Sequence, residues 1–235
     1  MWIVAIPLLL SAAILELILG ARLLWLARIT RGAAETSIGI AFFLDAFAQV
    51  AGAVAGELDG VARIATQTAS LTLTLIATGA LYLGVVRVFE QHRPWLLKAS
   101  WGVVLAVAAA QAFVFVATGP DLDAQFITAR WVNRGFSAFT FVWAVAASLG
   151  ARSACLRQMK LGLSSRLEAA RFLLWALAAI AFLIVLALLF ARDVLGMPST
   201  VTAIAHPFLA VACVTAVWWT FFPPRWLERR LVVVQ

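Results

Sequence analysis

Seven apolar stretches, each about twenty residues or longer, take up almost the whole of this 235-residue chain. A helix rises about 1.5 Å per residue, so each stretch is long enough to cross a hydrocarbon layer about 30 Å thick. In order they are 2–28, 36–57, 61–88, 95–118, 128–153, 167–192 and 200–221, with short connections between them. Hydrophobic residues make up 64% of the sequence and charged residues 12%, so each segment must satisfy its own backbone polar groups as a helix. The chain reads as an all-α integral membrane protein, a seven-transmembrane-helix bundle forming one domain over 1–235. Connections this short leave no room for a soluble domain, which removes kinase-like and nucleic-acid-binding units from consideration.

A net charge of +7 would fit nucleic acid if it lay on one patch, but it is distributed by loop. Arg28 and Arg31 follow the first segment; Arg87, Arg93 and Lys98 flank the turn after the third. Arg152, Arg157, Lys160, Arg166 and Arg171 surround the turn after the fifth, and Arg225, Arg229 and Arg230 follow the seventh. The alternate connections hold Glu57, Asp59 and Arg63, then Asp121 and Asp123, then Arg192 and Asp193. Every second loop is basic, which predicts an N-terminus outside, a C-terminus in the cytoplasm and residence in the plasma (inner) membrane. Trp2 and Trp131 fall at the outer boundary, and Trp25, Trp95, Trp218, Trp219 and Trp226 at the inner one, as interfacial belts do. The first segment has no basic residue before its apolar run, so it is expected to stay as a helix and not to be removed as a signal peptide. Cys155 and Cys213 match no disulfide or metal spacing. LGAR occurs at 19–22 and 149–152, but neighbouring positions do not follow, so it marks no repeat.

Polar residues within the segments are the candidates for chemistry, because ionisable groups at membrane depth are costly and need partners. Glu16 lies in the first segment, and Asp45 and Gln49 share one face of the second. The third reads ATQTASLTLTLIATGA, with Thr66, Ser70, Thr74 and Thr78 at four-residue spacing and Gln67 beside them. Gln111 lies in the fourth; Arg130, Asn133, Arg134 and Ser137 form a stripe in the fifth; Thr202 and His206 enter the seventh beside Pro207. The expected ligand-binding or proton-relay set is Glu16, Asp45, Gln49, Thr66, Gln67, Ser70, Gln111, Arg130, Asn133, Arg134 and His206. A structural alternative stands beside each: hydroxyls bond back to carbonyls, Arg130 reaches to the interface, and His206 bonds a neighbouring carbonyl. Asp45 is expected to be buried and paired, with the Thr/Gln cluster of the third segment or an arginine of the fifth. His206 is expected to share a layer with Arg134, Thr66 and Gln67.

HExxH is missing, and two histidines in separate regions do not make a three-histidine zinc site. His92 lies in a basic turn, far in depth from His206, which argues against a haem held by both. Nucleophile-elbow, P-loop and dinucleotide fingerprints are missing as well. Seven helices with an outer N-terminus resemble the rhodopsins in general architecture. The resemblance stops there: the only lysines, Lys98 and Lys160, lie outside the seventh segment, which leaves no lysine for a retinal Schiff base. No cofactor or metal is expected.

The expected function is non-enzymatic: an outward-facing, polar-lined pocket for a small molecule or lipid, acting as a sensor or receptor. The alternative is a secondary transporter or proton-coupled carrier that uses the intramembrane carboxylates and His206. Expected partners are membrane lipids, a small or lipidic ligand and a cytoplasmic or membrane protein. An oligomer is compatible with this reading; nucleic acid is not an expected partner.

Overall fold

The computed structural model describes residues 2–90, 92–117 and 121–226, with the side chains of 2–9, 199 and 203 outside that description. Trp2 as a belt residue, the segment end at 118, and Arg229 and Arg230 therefore lie outside the described residues. The chain forms α1 (Trp2–Thr30), α2 (Ala33–Ala55), α3 (Gly60–Phe89), α4 (Pro94–Ala117), α5 (Leu122–Met159), α6 (Arg166–Leu195) and α7 (Ser199–Phe221). All seven contain a stretch long and apolar enough to cross a membrane, as an integral membrane protein requires.

Six helices agree with the apolar segments to within three residues at each end. The fifth does not: α5 runs 38 residues, where hydropathy marks only 128–153. Asp121 extends its start, since Asp121 Oδ1 accepts the Ala124 N–H at 3.1 Å and its carbonyl accepts from Gln125 N. At the other end the polar residues from Arg152 to Met159 include strong helix formers, with no glycine or proline until Gly162. Apolarity reports where lipid ends, and a helix can continue into water.

The helices fall into two compact units, residues 10–140 and residues 1–9 with 141–235. In the first, α2 packs on α3 and α3 on α4. Leu71, Phe126 and Ala129 form a core joined by Ile64, Val114 and Phe115, and the Phe115 and Phe126 rings meet edge-on at 6.0 Å. Tyr82 packs between Phe136 and Phe139 at 5.9 and 5.5 Å. α4 buries only Ser100 and Gln111; Leu105, Phe113 and Val116 are exposed, an apolar face suited to lipid.

In the second unit α6 packs on α7, with Trp175 edge-on to Phe221 at 5.9 Å. Phe141 of α5 stacks on Phe182 of α6 at 4.0 Å. α6 starts with a reciprocal cap between Ser165 and Glu168 and ends at Gly196, whose φ of 72° is the left-handed conformation that glycine adopts without strain. Pro207 is fully buried within α7; without an N–H it leaves the carbonyl four residues earlier without its helical donor.

Candidate functional site

The first unit brings Glu16, Asp45 and Gln49 together. α1 and α2 can approach because two glycines face each other: a Cβ at Gly20 would lie 2.7 Å from the Phe43 backbone nitrogen and 2.9 Å from the Gly39 carbonyl oxygen. One turn along α1 from Gly20 is Glu16, only 4% exposed. At that separation Gln49 of α2 spans the gap. Its Nε2 donates to Glu16 Oε2 at 2.7 Å and, one turn back on its own helix, to Asp45 Oδ2 at 3.0 Å. One amide thus holds two carboxyls. Asp45 was expected to pair with the Thr/Gln cluster of α3 or an α5 arginine; its partners are instead Gln49 of its own helix and the neighbouring carboxyl of Glu16 on α1.

Further polar contacts tie the helices of this unit together. Ser70 Oγ donates to the Ala48 carbonyl at 2.8 Å, tying α3 to α2 beside Gln49. Asn133 Nδ2 donates to the Leu71 carbonyl at 2.9 Å, tying α5 to α3, and Thr78 and Ser137 hydroxyls meet at 3.2 Å. Asn133 Oδ1 and Gln111 Oε1 are buried with no hydrogen-bond partner among the described residues. Such orphan acceptors are uncommon in native interiors.

Other candidates take local roles. Thr66 Oγ1 bonds back to the Ala62 carbonyl at 2.8 Å, and Thr74 back to Ser70 at 2.9 Å. Gln67 is half-buried on α3. Arg134 lies over the Trp131 ring at 4.8 Å, a cation–π contact along one helix, and Arg130 is exposed. His206 belongs to the second unit, where its charged neighbour is Arg192 of α6; Arg192 Nε also bonds Asp193 at 2.6 Å. Arg134, Thr66 and Gln67 belong to the first unit. Among the described residues no three His, Cys, Asp or Glu side chains come together as metal ligands.

Two features escaped sequence reasoning. Arg87 of α3 reaches α2, donating to the Ala33 carbonyl at 3.1 Å and to Ser37 Oγ; in sequence it is one more basic residue at a helix end. Arg171 Nε is buried without a hydrogen-bond partner among the described residues. Neither could be found without the register between helices. Comparison of the chain with protein-family models, curated proteins and solved structures gave no match, so function rests on the residues themselves.

Proposed function

We propose that the chain is a proton-coupled secondary transporter of the plasma (inner) membrane, with its N-terminus outside and its C-terminus cytoplasmic. The single observation behind this reading is the Gln49 amide donating to both Glu16 and Asp45. Two carboxyls tied to one amide titrate as a unit, since a proton on either changes the field at the other. Gaining one proton removes one negative charge from the interface of α1 and α2. Ionisable pairs at membrane depth serve proton relays and coupling sites in this way. In this reading the chain shares with the rhodopsins only the number of helices and the proposed orientation.

A second reading, a sensor or receptor with a polar-lined pocket for a small molecule or lipid, draws on the orphan acceptors Asn133 Oδ1 and Gln111 Oε1. A donor-bearing ligand would satisfy them. Its signal would pass to a protein partner through short cytoplasmic loops. Flux separates the two readings. In liposomes holding a trapped pH dye, the transporter reading expects solute-dependent proton movement across a panel of amino acids, organic acids and amines. That movement should be lost in Glu16→Gln and Asp45→Asn. Solute-dependent thermal stabilisation with no proton movement would replace this reading with the sensor.

A further inference from the structure

We propose that the basic end of the α5–α6 pair binds a phosphate-bearing anion, lipid headgroup or soluble phosphate, between Arg152 and Arg171. The proposal concerns the unit of residues 141–235 and does not depend on the carboxyl pair. The Phe141–Phe182 stack makes α5 and α6 neighbours and fixes their register; the short turn between them, in which Cys155 Sγ meets Ser164 Oγ at 2.7 Å, makes them antiparallel. Moving from the ring pair toward the turn, that register sets Ala144 opposite Ala179 and Ser148 opposite Trp175. All four are buried, as facing residues should be. The next pair is Arg152 and Arg171. Each is eleven residues from its ring, about three turns, so each returns to the contacting face.

Two guanidinium groups brought face to face repel each other unless an anion lies between them. From 152 to 171 the sequence holds Arg152, Arg157, Lys160, Arg166 and Arg171 against one carboxylate, Glu168. Glu168 is an electrostatic neighbour of Arg171, but its Oε2 already accepts from Ser164 Oγ at 2.6 Å and from Ser165 N at 3.0 Å in the helix cap. Arg171 Nε is sealed from solvent with no hydrogen-bond partner among the described residues. Arg152 and Arg171 are both half-buried, whereas Arg157 and Arg166 are exposed. A phosphate has several oxygens to accept from two planar forks at once, which a single carboxylate cannot match. This end of the helices is also where headgroups lie when α5 and α6 cross a membrane.

The test uses the full chain, with thermal unfolding read in nanodiscs of phosphatidylcholine alone and with added phosphatidylglycerol. Retained phosphatidylglycerol is read by native mass spectrometry, and inorganic phosphate is titrated in uncharged detergent. Phosphatidylglycerol should stabilise the wild type, and Arg152→Gln or Arg171→Gln should weaken its retention about tenfold, the loss of one charge-assisted contact. Arg157→Gln should weaken it less than threefold. In uncharged detergent without phosphate, Arg152→Gln should leave the midpoint unchanged or raise it, because one of two facing charges is gone. Stabilisation by inorganic phosphate with the same arginine dependence supports the site and assigns it to a soluble anion; stabilisation by phosphatidylglycerol only assigns it to lipid. The proposal is overturned if neither anion stabilises, if Arg157→Gln costs as much as Arg152→Gln, or if Arg152→Gln destabilises equally in phosphatidylglycerol nanodiscs and in uncharged detergent without phosphate. If Arg171→Gln fails to insert, Arg152→Gln alone decides.

Discussion

Gln49 has two amide N–H groups and commits both to carboxyl oxygens, one on α1 and one on α2. The amide is therefore the structural keystone of the cluster, and the carboxyls are its dependants. Gln49→Leu would keep the bulk but leave two acids without their donor, and an unsatisfied buried acceptor costs about 1–3 kcal/mol, more when charged. We expect a loss of about 2 kcal/mol or more, measured by thermal unfolding in micelles. Glu16→Gln removes one of two adjoining carboxyls while keeping hydrogen-bonding capacity, so its stability should match or exceed the wild type. Equal destabilisation by both variants would show that the carboxyl pair, and not the amide, holds α1 to α2.

At the scale of the helices, Gly20 is the position that the α1–α2 contact depends on, because the atoms closest to its absent Cβ are backbone, which cannot swing aside. Gly20→Val should push the helices apart and destabilise by about 1–3 kcal/mol, the usual effect of overpacking. Gly102→Val on α4, where a Cβ meets nothing within 4 Å, should be neutral or slightly stabilising. Equal effects of the two, in the same unfolding assay, would contradict this packing account. A smaller loss, about 1 kcal/mol, is expected for Ser165→Ala, which removes the reciprocal cap of α6. The order and type of all seven helices were legible in the sequence because lipid-length apolarity is a strong signal. The true ends of α5 were not, since Asp121 and the polar run after Arg152 act through capping and propensity without hydropathy. Asp45 and Gln49 could be placed on one face by their spacing alone. The arrival of Glu16 could not, because it depends on a close approach at Gly20 and Gly39 that no periodicity records.

For the whole molecule, the proposed orientation rests on the alternation of basic connections. Arg63 and Arg192 are the arginines of the weakly charged connections, and the structure gives each a carboxylate neighbour, Asp123 at 3.4 Å and Asp193 at 2.6 Å. The opposite turns hold the larger share of Lys and Arg, and it is the count of cations in short loops, more than net charge, that retains a loop in the cytoplasm. α7 ends at Phe221 and is followed by Pro223, Pro224, Arg225 and Trp226, a helix stop with an interfacial ring and a cation at the same boundary. A fluorescent reporter joined after residue 235 should therefore be bright, and a phosphatase that works only outside the cytoplasm should be inactive there. The converse result would invert every helix and move Arg130 and Arg134 to the cytoplasmic leaflet. A charge reversal sharpens the test: Asp121→Arg with Asp123→Arg adds two cations to a connection that the proposed orientation puts outside, and removes the Arg63 partner. If cation count sets the orientation, that double variant should give a mixed population with both reporters partly active. A population as uniform as the wild type would mean that the orientation is set elsewhere, by the first helix as it inserts.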